Sequence, residues 1–266
     1  MLKIGALSFV NSLPFFYPFI ERKIDCDSEF IFNDPCRINE LLHKGSCDIA
    51  LISSKSFLEN REQYILLTNL GIATTKKSIS VCLFIKGPIS DLDGRIVLIP
   101  DASATSVALL NVLCHNFWNV KPRFRQVSFE KIHAIHHDKD VEGFLVIGDE
   151  CFKMLEKQQY RAIDLASAWH EYTKKSFVFA MFATRLETWL QKGQEVLEFH
   201  NKLTNAFEYS LNHTKELIQY AAEKSNVTPE ILNSYYKTLD FQLDPRHFHG
   251  LELFVSLSNK IAQKNS

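Results

Sequence analysis

The chain of 266 residues has no excess of either charge: 30 Lys+Arg stand against 31 Asp+Glu, for a formal net charge of -1. Like charges never gather into the runs of roughly five or six that mark an interaction tail. A nucleic-acid footprint normally shows as a basic face, so neither DNA nor RNA is an expected partner. Long apolar runs are missing too. The longest, such as Phe177 to Ala183, fall well short of the ~20 residues that a membrane-spanning helix requires, and no membrane partner is expected. At the start of the chain Ser8, Asn11, Ser12 and Pro14 interrupt the apolar residues and no small-residue cleavage site follows, so it is read as mature protein rather than as a signal peptide.

There is no CxxC. Cys26, Cys36, Cys47, Cys82, Cys114 and Cys151 are scattered through a chain long enough to bury a core without staples. Reduced, buried thiols in a cytoplasm are the expected state. His133, His136 and His137 lie near Asp138 and Asp140, and His247 near His249, but neither group pairs with a second cluster at zinc-like spacing. A structural or surface role is expected for them, and no metal. No GxGxxG, P-loop or GxSxG occurs, which leaves nucleotide redox chemistry, Walker-type phosphoryl transfer and the hydrolase elbow without support.

What is present is 46% hydrophobic and 12% aromatic residues, 21 of them Phe, and a length between one and two domains. Lys3 to Leu7, Glu29 to Phe32, Asp48 to Ile52 and Tyr64 to Leu67 read as strands, with helical spacing over Leu13 to Arg22 and Pro35 to Lys44. A second alternation follows, with strands at Ile79 to Ile85, Arg95 to Ile99, Phe124 to Val127 and Phe144 to Ile147 and a long helix from Ser103 to Phe117. Such βαβ grammar predicts parallel sheets. After the apolar stretch Phe177 to Ala183 only helices are predicted: Glu187 to Asn212, Thr214 to Lys224, Thr228 to Thr238, and one from Pro245 to about Gln263. These segments fit an α/β protein of two lobes. Residues 1–82 and 181–266 form lobe one and 83–180 an inserted lobe two, joined by crossing strands near 79–86 and 177–184. A ligand is expected in a cleft between lobes.

Polar clusters fall where strands should end: Ser8-Phe9-Val10-Asn11, Ser53-Ser54, Ser78-Ile79-Ser80 and Ser103-Ala104-Thr105-Ser106. Ligands of α/β sheets bind at the carboxyl ends of strands, where helix N-termini offer unpaired N–H groups. The last cluster is the strongest, because three hydroxyls occupy a helix start for which one cap suffices. Either it cradles a carboxylate or phosphate, or one hydroxyl caps and two are solvated or back-bonded. Asn11 is either a helix cap or a cleft residue. Ser53 and Ser54 are either ordinary loop residues or cleft residues, and Gly148-Asp149 is either an Asx turn or a source of an acid, a base or a hydroxyl acceptor.

The ordered series Ile4-Gly5, Asn11-Ser12-Leu13-Pro14, Gly45-Ser46-Cys47-Asp48-Ile49-Ala50-Leu51-Ile52-Ser53-Ser54, Ser80-Val81, Asp91-Leu92-Asp93-Gly94, Ser103-Ala104-Thr105-Ser106, Ile147-Gly148-Asp149 and Phe177-Val178-Phe179-Ala180 resembles the menaquinone-biosynthesis family of the futalosine pathway. Through its Ser-Ala-Thr-Ser helix start it is more similar to chorismate dehydratases than to the sister lyases that cleave cyclic dehypoxanthinylfutalosine. It departs from the family at Lys174-Lys175-Ser176, where Leu-Pro is frequent, and at Lys55-Ser56-Phe57, where an acidic or aromatic residue is commoner.

The resemblance implies a fold similar to type II periplasmic binding proteins, no cofactor, and conversion of chorismate, a dicarboxylate, to 3-[(1-carboxyvinyl)oxy]benzoate and water. It also implies substrate contacts from Ser8, Asn11, Ser53, Ser54, Ser80, Ser103, Thr105 and Ser106, with Asn11 and Asp149 as the catalytic candidates. A solute-binding protein for a small anion is the alternative from another class, since fold does not fix function.

Overall fold

The computed structural model describes residues 1–265, with all their side chains except those of Phe129, His133, Ala262, Lys264 and Asn265. The expectation for the His133 side chain therefore lies outside the described residues. In chain order come β1 (Leu2–Leu7), a 3-10 turn (Val10–Ser12), α1 (Leu13–Ile20), β2 (Ser28–Asn33), α2 (Pro35–His43), β3 (Ile49–Ser53), α3 (Ser54–Glu59) and β4 (Tyr64–Thr74). There follow β5 (Val81–Ile85), β6 (Ile96–Pro100), α4 (Ala104–Leu113), β7 (Arg123–Val127), α5 (Phe129–Ile135), β8 (Val141–Ile147), α6 (Glu150–Lys157), β9 (Arg161–Asp164) and α7 (Leu165–Thr173). The chain ends with β10 (Phe177–Arg185), α8 (Leu186–Asn212), α9 (Thr214–Ser225), α10 (Pro229–Tyr236), β11 (Asp240–Gln242) and α11 (Pro245–Asn265).

The chain forms two compact units. Unit 1 comprises Met1–Ile72 and Phe179–Leu243, and unit 2 comprises Ala73–Val178 and the chain from Asp244 onward. From the sequence, α11 is expected in lobe one. In the structure it belongs to unit 2, where it packs on α4, so the chain passes between units three times rather than twice. Periodicity marks α11 as a helix but carries no information about which apolar face receives it.

Unit 1 is built on a six-stranded sheet of order β11-β4-β10-β3-β1-β2. β1 pairs in parallel with both β2 and β3, whereas β10 runs antiparallel to β3. Unit 2 holds a five-stranded sheet of order β7-β6-β8-β5-β9, with β6 parallel to β7 and β8, and β5 antiparallel to β8 and β9. The expected purely parallel sheets are thus mixed. β10 pairs with β3, and β5 with β8 and β9, across several intervening strands and helices, so neither pair is a single βαβ unit, the connection that imposes parallel pairing.

The helix α1 is apolar around its circumference, which suits burial on more than one side. Its Phe15 sets ring edges against Phe182, at 5.1 Å between centroids, and Phe241, at 5.6 Å. In unit 2, Phe84 and Phe144 stack at 5.4 Å, and the buried Trp169 donates its indole N–H to the Ser176 carbonyl. Gly5 on β1 is required by packing. A Cβ there would lie 2.9 Å from the Ala50 Cβ and 3.1 Å from Ile38 of α2, so glycine lets that helix lie close on the sheet. Among the described residues no helix is long and apolar enough to cross a membrane.

Candidate functional site

In unit 1, β1 and β3 are parallel neighbours, so their carboxyl ends share one sheet edge. That edge carries Ser8 to Ser12 and Ser53-Ser54. Asn11 does not cap α1: it sits inside the 3-10 turn, and Ser12 occupies the cap position. The turn is tied down around it. The buried Ser12 hydroxyl lies 2.6 Å from the Leu7 carbonyl, and Tyr236 donates its hydroxyl proton to the Val10 carbonyl at 2.9 Å. Held between these ties, Asn11 leaves its Oδ1 buried with no hydrogen-bond partner. Ser8 is exposed, and its backbone N–H donates to the Asn33 carbonyl.

The two serines after β3 divide their work. Ser53 caps α3, its oxygen accepting from the Ser56 N–H at 3.2 Å and from Asn39 Nδ2 at 3.0 Å. Ser54, the first residue of that helix, is fully buried, and its hydroxyl has no partner. An unpaired buried hydroxyl is costly in a folded protein and calls for an explanation. A ligand that bonds to it supplies one.

In unit 2, β6 and β8 are parallel neighbours and β5 starts antiparallel beside the end of β8. Ser80, the Ser103–Ser106 helix start and Gly148-Asp149 are therefore brought to one sheet edge. The Gly148 N–H donates to the Ser80 carbonyl at 2.8 Å, and Gly148 takes the positive φ of 66° that the turn needs. Ser103 is the cap of α4. Its oxygen accepts from the Ser106 N–H at 3.3 Å, and the two hydroxyls lie 2.9 Å apart. With Ser103 donating to it, the Ser106 hydroxyl keeps its own hydrogen for an acceptor. Thr105 and Ser106 are buried rather than solvated. Asp149 takes the cap position of α6 in helical φ/ψ, where its carbonyl accepts from the Phe152 N–H at 3.2 Å and its side chain makes no capping bond.

Other reactive side chains are engaged elsewhere. Among the described residues no cluster of His, Cys, Asp or Glu is fit to hold a metal ion. The buried His136 approaches the Ile132 carbonyl with Nδ1, His137 meets the Tyr160 hydroxyl, and the buried His247 lies 3.0 Å from Asp244. All six cysteines are free thiols. Burial pushes the Cys47 and Cys114 thiols up to about 12, and burial beside Cys82 holds Cys151 well above its ordinary value. None of these three is a thiolate at neutral pH.

Asn39 and Asp164, the supports of Ser53 and of Ser78-Ile79, are absent from the sequence reading. Asn39 sits mid-helix, where its spacing carries no signal. Asp164 ends a short, solvent-facing edge strand that is not foreseen from the sequence, although Asp164-Leu165-Ala166-Ser167 reads as a helix start.

Residues 2–260 match a protein family described as menaquinone biosynthesis. The chain is 28% identical over 239 residues to a chorismate dehydratase of Thermus thermophilus, covering 83% of each chain. It is 26% identical to the chorismate dehydratase of Campylobacter jejuni, over 96% of this chain and 91% of the other. A 1,4-dihydroxy-6-naphtoate synthase of T. thermophilus is 20% identical, over 89% and 85%.

The fold is shared with solved structures of the periplasmic-binding-protein kind. A Candida albicans gene product described as having that generic fold superposes with a TM-score of 0.73 at 18% identity, over 97% of this chain and 90% of its own. The aliphatic sulphonate binding protein SsuA of Escherichia coli superposes with a TM-score of 0.70 at 13% identity, over 99% and 92%.

Proposed function

The chain belongs to the menaquinone-biosynthesis family, and on that footing we propose that it is a carbon–oxygen lyase converting chorismate to 3-[(1-carboxyvinyl)oxy]benzoate and water. The observation that carries the reading to this site is the pair of buried, partnerless oxygens, Asn11 Oδ1 and Ser54 Oγ, at the strand ends where the resemblance places substrate contacts. The higher identity to the two dehydratases than to the naphthoate synthase favours chorismate.

Chorismate carries a ring carboxylate, an enolpyruvyl ether at C3 and a hydroxyl at C4. Loss of the C3 proton moves an electron pair through the C1=C2 bond toward the ring carboxylate. Its return expels the C4 hydroxide and leaves an aromatic ring, and the released proton and hydroxide make the water. Donors aimed at the ring carboxylate stabilise the transition state more than the ground state. This role is assigned to Ser103, Thr105, Ser106 and the first N–H groups of α4.

Asn11 offers an amide donor for the enolpyruvyl carboxylate and an acceptor for the C4 hydroxyl, with Ser80 as a second donor and Ser8, Ser53 and Ser54 as further contacts. So placed, the substrate's own enolpyruvyl carboxylate takes the C3 proton. Asp149 is the competing base.

Purified protein incubated with chorismate is expected to yield the carboxyvinyloxy-benzoate by mass spectrometry, and unchanged chorismate rejects the reading. If that chorismate nevertheless binds, a solute-binding role takes its place. Turnover of a cyclic futalosine derivative instead points to the sister lyase. Single-turnover rates separate the two bases: Asn11→Ala is expected to slow the reaction strongly and Asp149→Asn to slow it little. The reverse order assigns the base to Asp149.

A further inference from the structure

The approach to Ser80 contains a residue in an unfavourable conformation. Ile79 has φ +51°, in the left-handed region, and among the described residues it is the one β-branched residue with positive φ. Branching at Cβ makes that region costly, so such a residue persists only where its surroundings hold it. The holding group is Asp164, at the end of β9. Its Oδ2 accepts from the Ile79 N–H at 2.6 Å and from both the N–H and the hydroxyl of the buried Ser78 at 3.1 Å. Its Oδ1 accepts from the Ser167 N–H at 2.7 Å, which caps α7 and anchors the carboxylate to a helix.

A helix cap needs one such bond; here the other oxygen collects three donors from a segment more than eighty residues away in sequence. Directly beyond Ile79, Ser80 is bonded through its carbonyl to Gly148, and Gly148 precedes Asp149. One carboxylate thus fixes a strained residue whose neighbour is itself tied to the turn carrying Asp149.

We propose that Asp164 is a positioning residue of the lyase site: by holding Ile79 left-handed it sets the direction of Ser80 and, through the Ser80 carbonyl, the Gly148-Asp149 turn. The proposal rests on the reading of Ser80 as a substrate contact. Asp164 does not itself touch substrate. The strain at Ile79 is the signature of a backbone shaped for a ligand rather than for its own stability.

The test is kinetic. Asp164→Ala removes both carboxylate oxygens, so the Ile79 and Ser78 N–H groups lose their shared partner and α7 loses its cap. It is expected to raise KM for chorismate by roughly 10- to 100-fold with a smaller change in kcat, because a misdirected binding group weakens substrate placement. Glycine adopts positive φ without support, so adding Ile79→Gly to the Asp164→Ala protein is expected to restore most of the KM while leaving the lost α7 cap, and hence the lowered melting temperature, unrepaired.

A double variant as impaired in KM as D164A alone overturns the proposal, as does a D164A protein that melts lower with unchanged kinetics. Wild-type protein inert towards chorismate overturns the dehydratase reading and the role resting on it, whereas active wild type with kinetically silent D164A overturns the positioning role alone.

Discussion

Asn39 and Ser53 exchange two hydrogen bonds: Asn39 Nδ2 donates to Ser53 Oγ at 3.0 Å, and the Ser53 N–H donates to Asn39 Oδ1 at 3.0 Å. The amide on α2 thereby fixes the last residue of β3 and the first turn of α3, which holds Ser54. Asn39→Ala leaves the Ser53 N–H without its acceptor and is expected to destabilise unit 1 by about 1–3 kcal/mol. Turnover is expected to fall with it. Asn39→Asp, which keeps an acceptor for that N–H, is expected to recover part of both. Denaturant unfolding and steady-state rates on the three proteins check this, and equal stability of N39A and wild type would contradict it.

Ser54 predicts an opposition between stability and function. Its buried hydroxyl is unpaired, so Ser54→Ala removes a desolvated polar group without breaking a bond. Stability is expected to stay level or rise by up to about 1 kcal/mol. The ratio kcat/KM is expected to fall by about tenfold if a substrate group bonds there, since roughly 1.4 kcal/mol of lost transition-state binding is a factor of ten. A parallel loss of stability and activity would make Ser54 a structural residue.

Gly250 tests the docking of α11 within unit 2. A Cβ at this position would lie 2.0 Å from the Ser176 carbonyl oxygen, a clash with backbone that no rotamer relieves. Gly250→Ala is expected to cost about 1–3 kcal/mol or more. Gly193→Ala is the control, since a Cβ there meets nothing within 4 Å. Melting temperatures of the pair should separate clearly.

The buried thiols predict an alkaline limit. Cys47 and Cys114 are held up to about 12 by burial, whereas an unfolded-chain cysteine ionises near ~8.5. Above that pH the unfolded chain has lost protons that the native state retains, so the native state is disfavoured. The thiols' contribution is fully present below pH ~8.5 and drains away as pH rises toward 12. Urea midpoints measured from pH 7 to 10.5 are expected to decline, and less so for Cys114→Ala. A decline of equal slope in that variant would remove Cys114 from the account.

Local pattern made much of the fold legible. The helices α2, α8 and α9 and the apolar strand β3 lie close to their expected bounds, because each presents one strong periodicity or one apolar run, whereas β8 starts three residues before its expected Phe144. The elements left out are short or marginal. β11 has three residues, β9 is a solvent-facing edge strand, α3 spans six residues opening on two serines, and the helices α5, α6 and α7, of seven to nine residues, are also unforeseen. Too few positions repeat in such segments for a period to stand out.

The site divides in the same way. Ser80, Ser103, Thr105, Ser106 and Asp149 all lie at strand ends or helix starts, positions that turn and cap chemistry announces in sequence. That they come to one sheet edge is a property of the strand order β6-β8-β5.

The sequence by itself determined the α/β class, the candidate polar groups and the family to which they belong, because residue spacing and type are local quantities. Only the tertiary structure decided which of those groups have work already. Ser53 is consumed by a cap and by Asn39, while Ser54 and the oxygen of Asn11 are left unpaired, and Ile79 is held left-handed by a carboxylate from a distant edge strand. Hydrogen-bond satisfaction depends on every neighbour in space, and strand order and helix docking choose those neighbours.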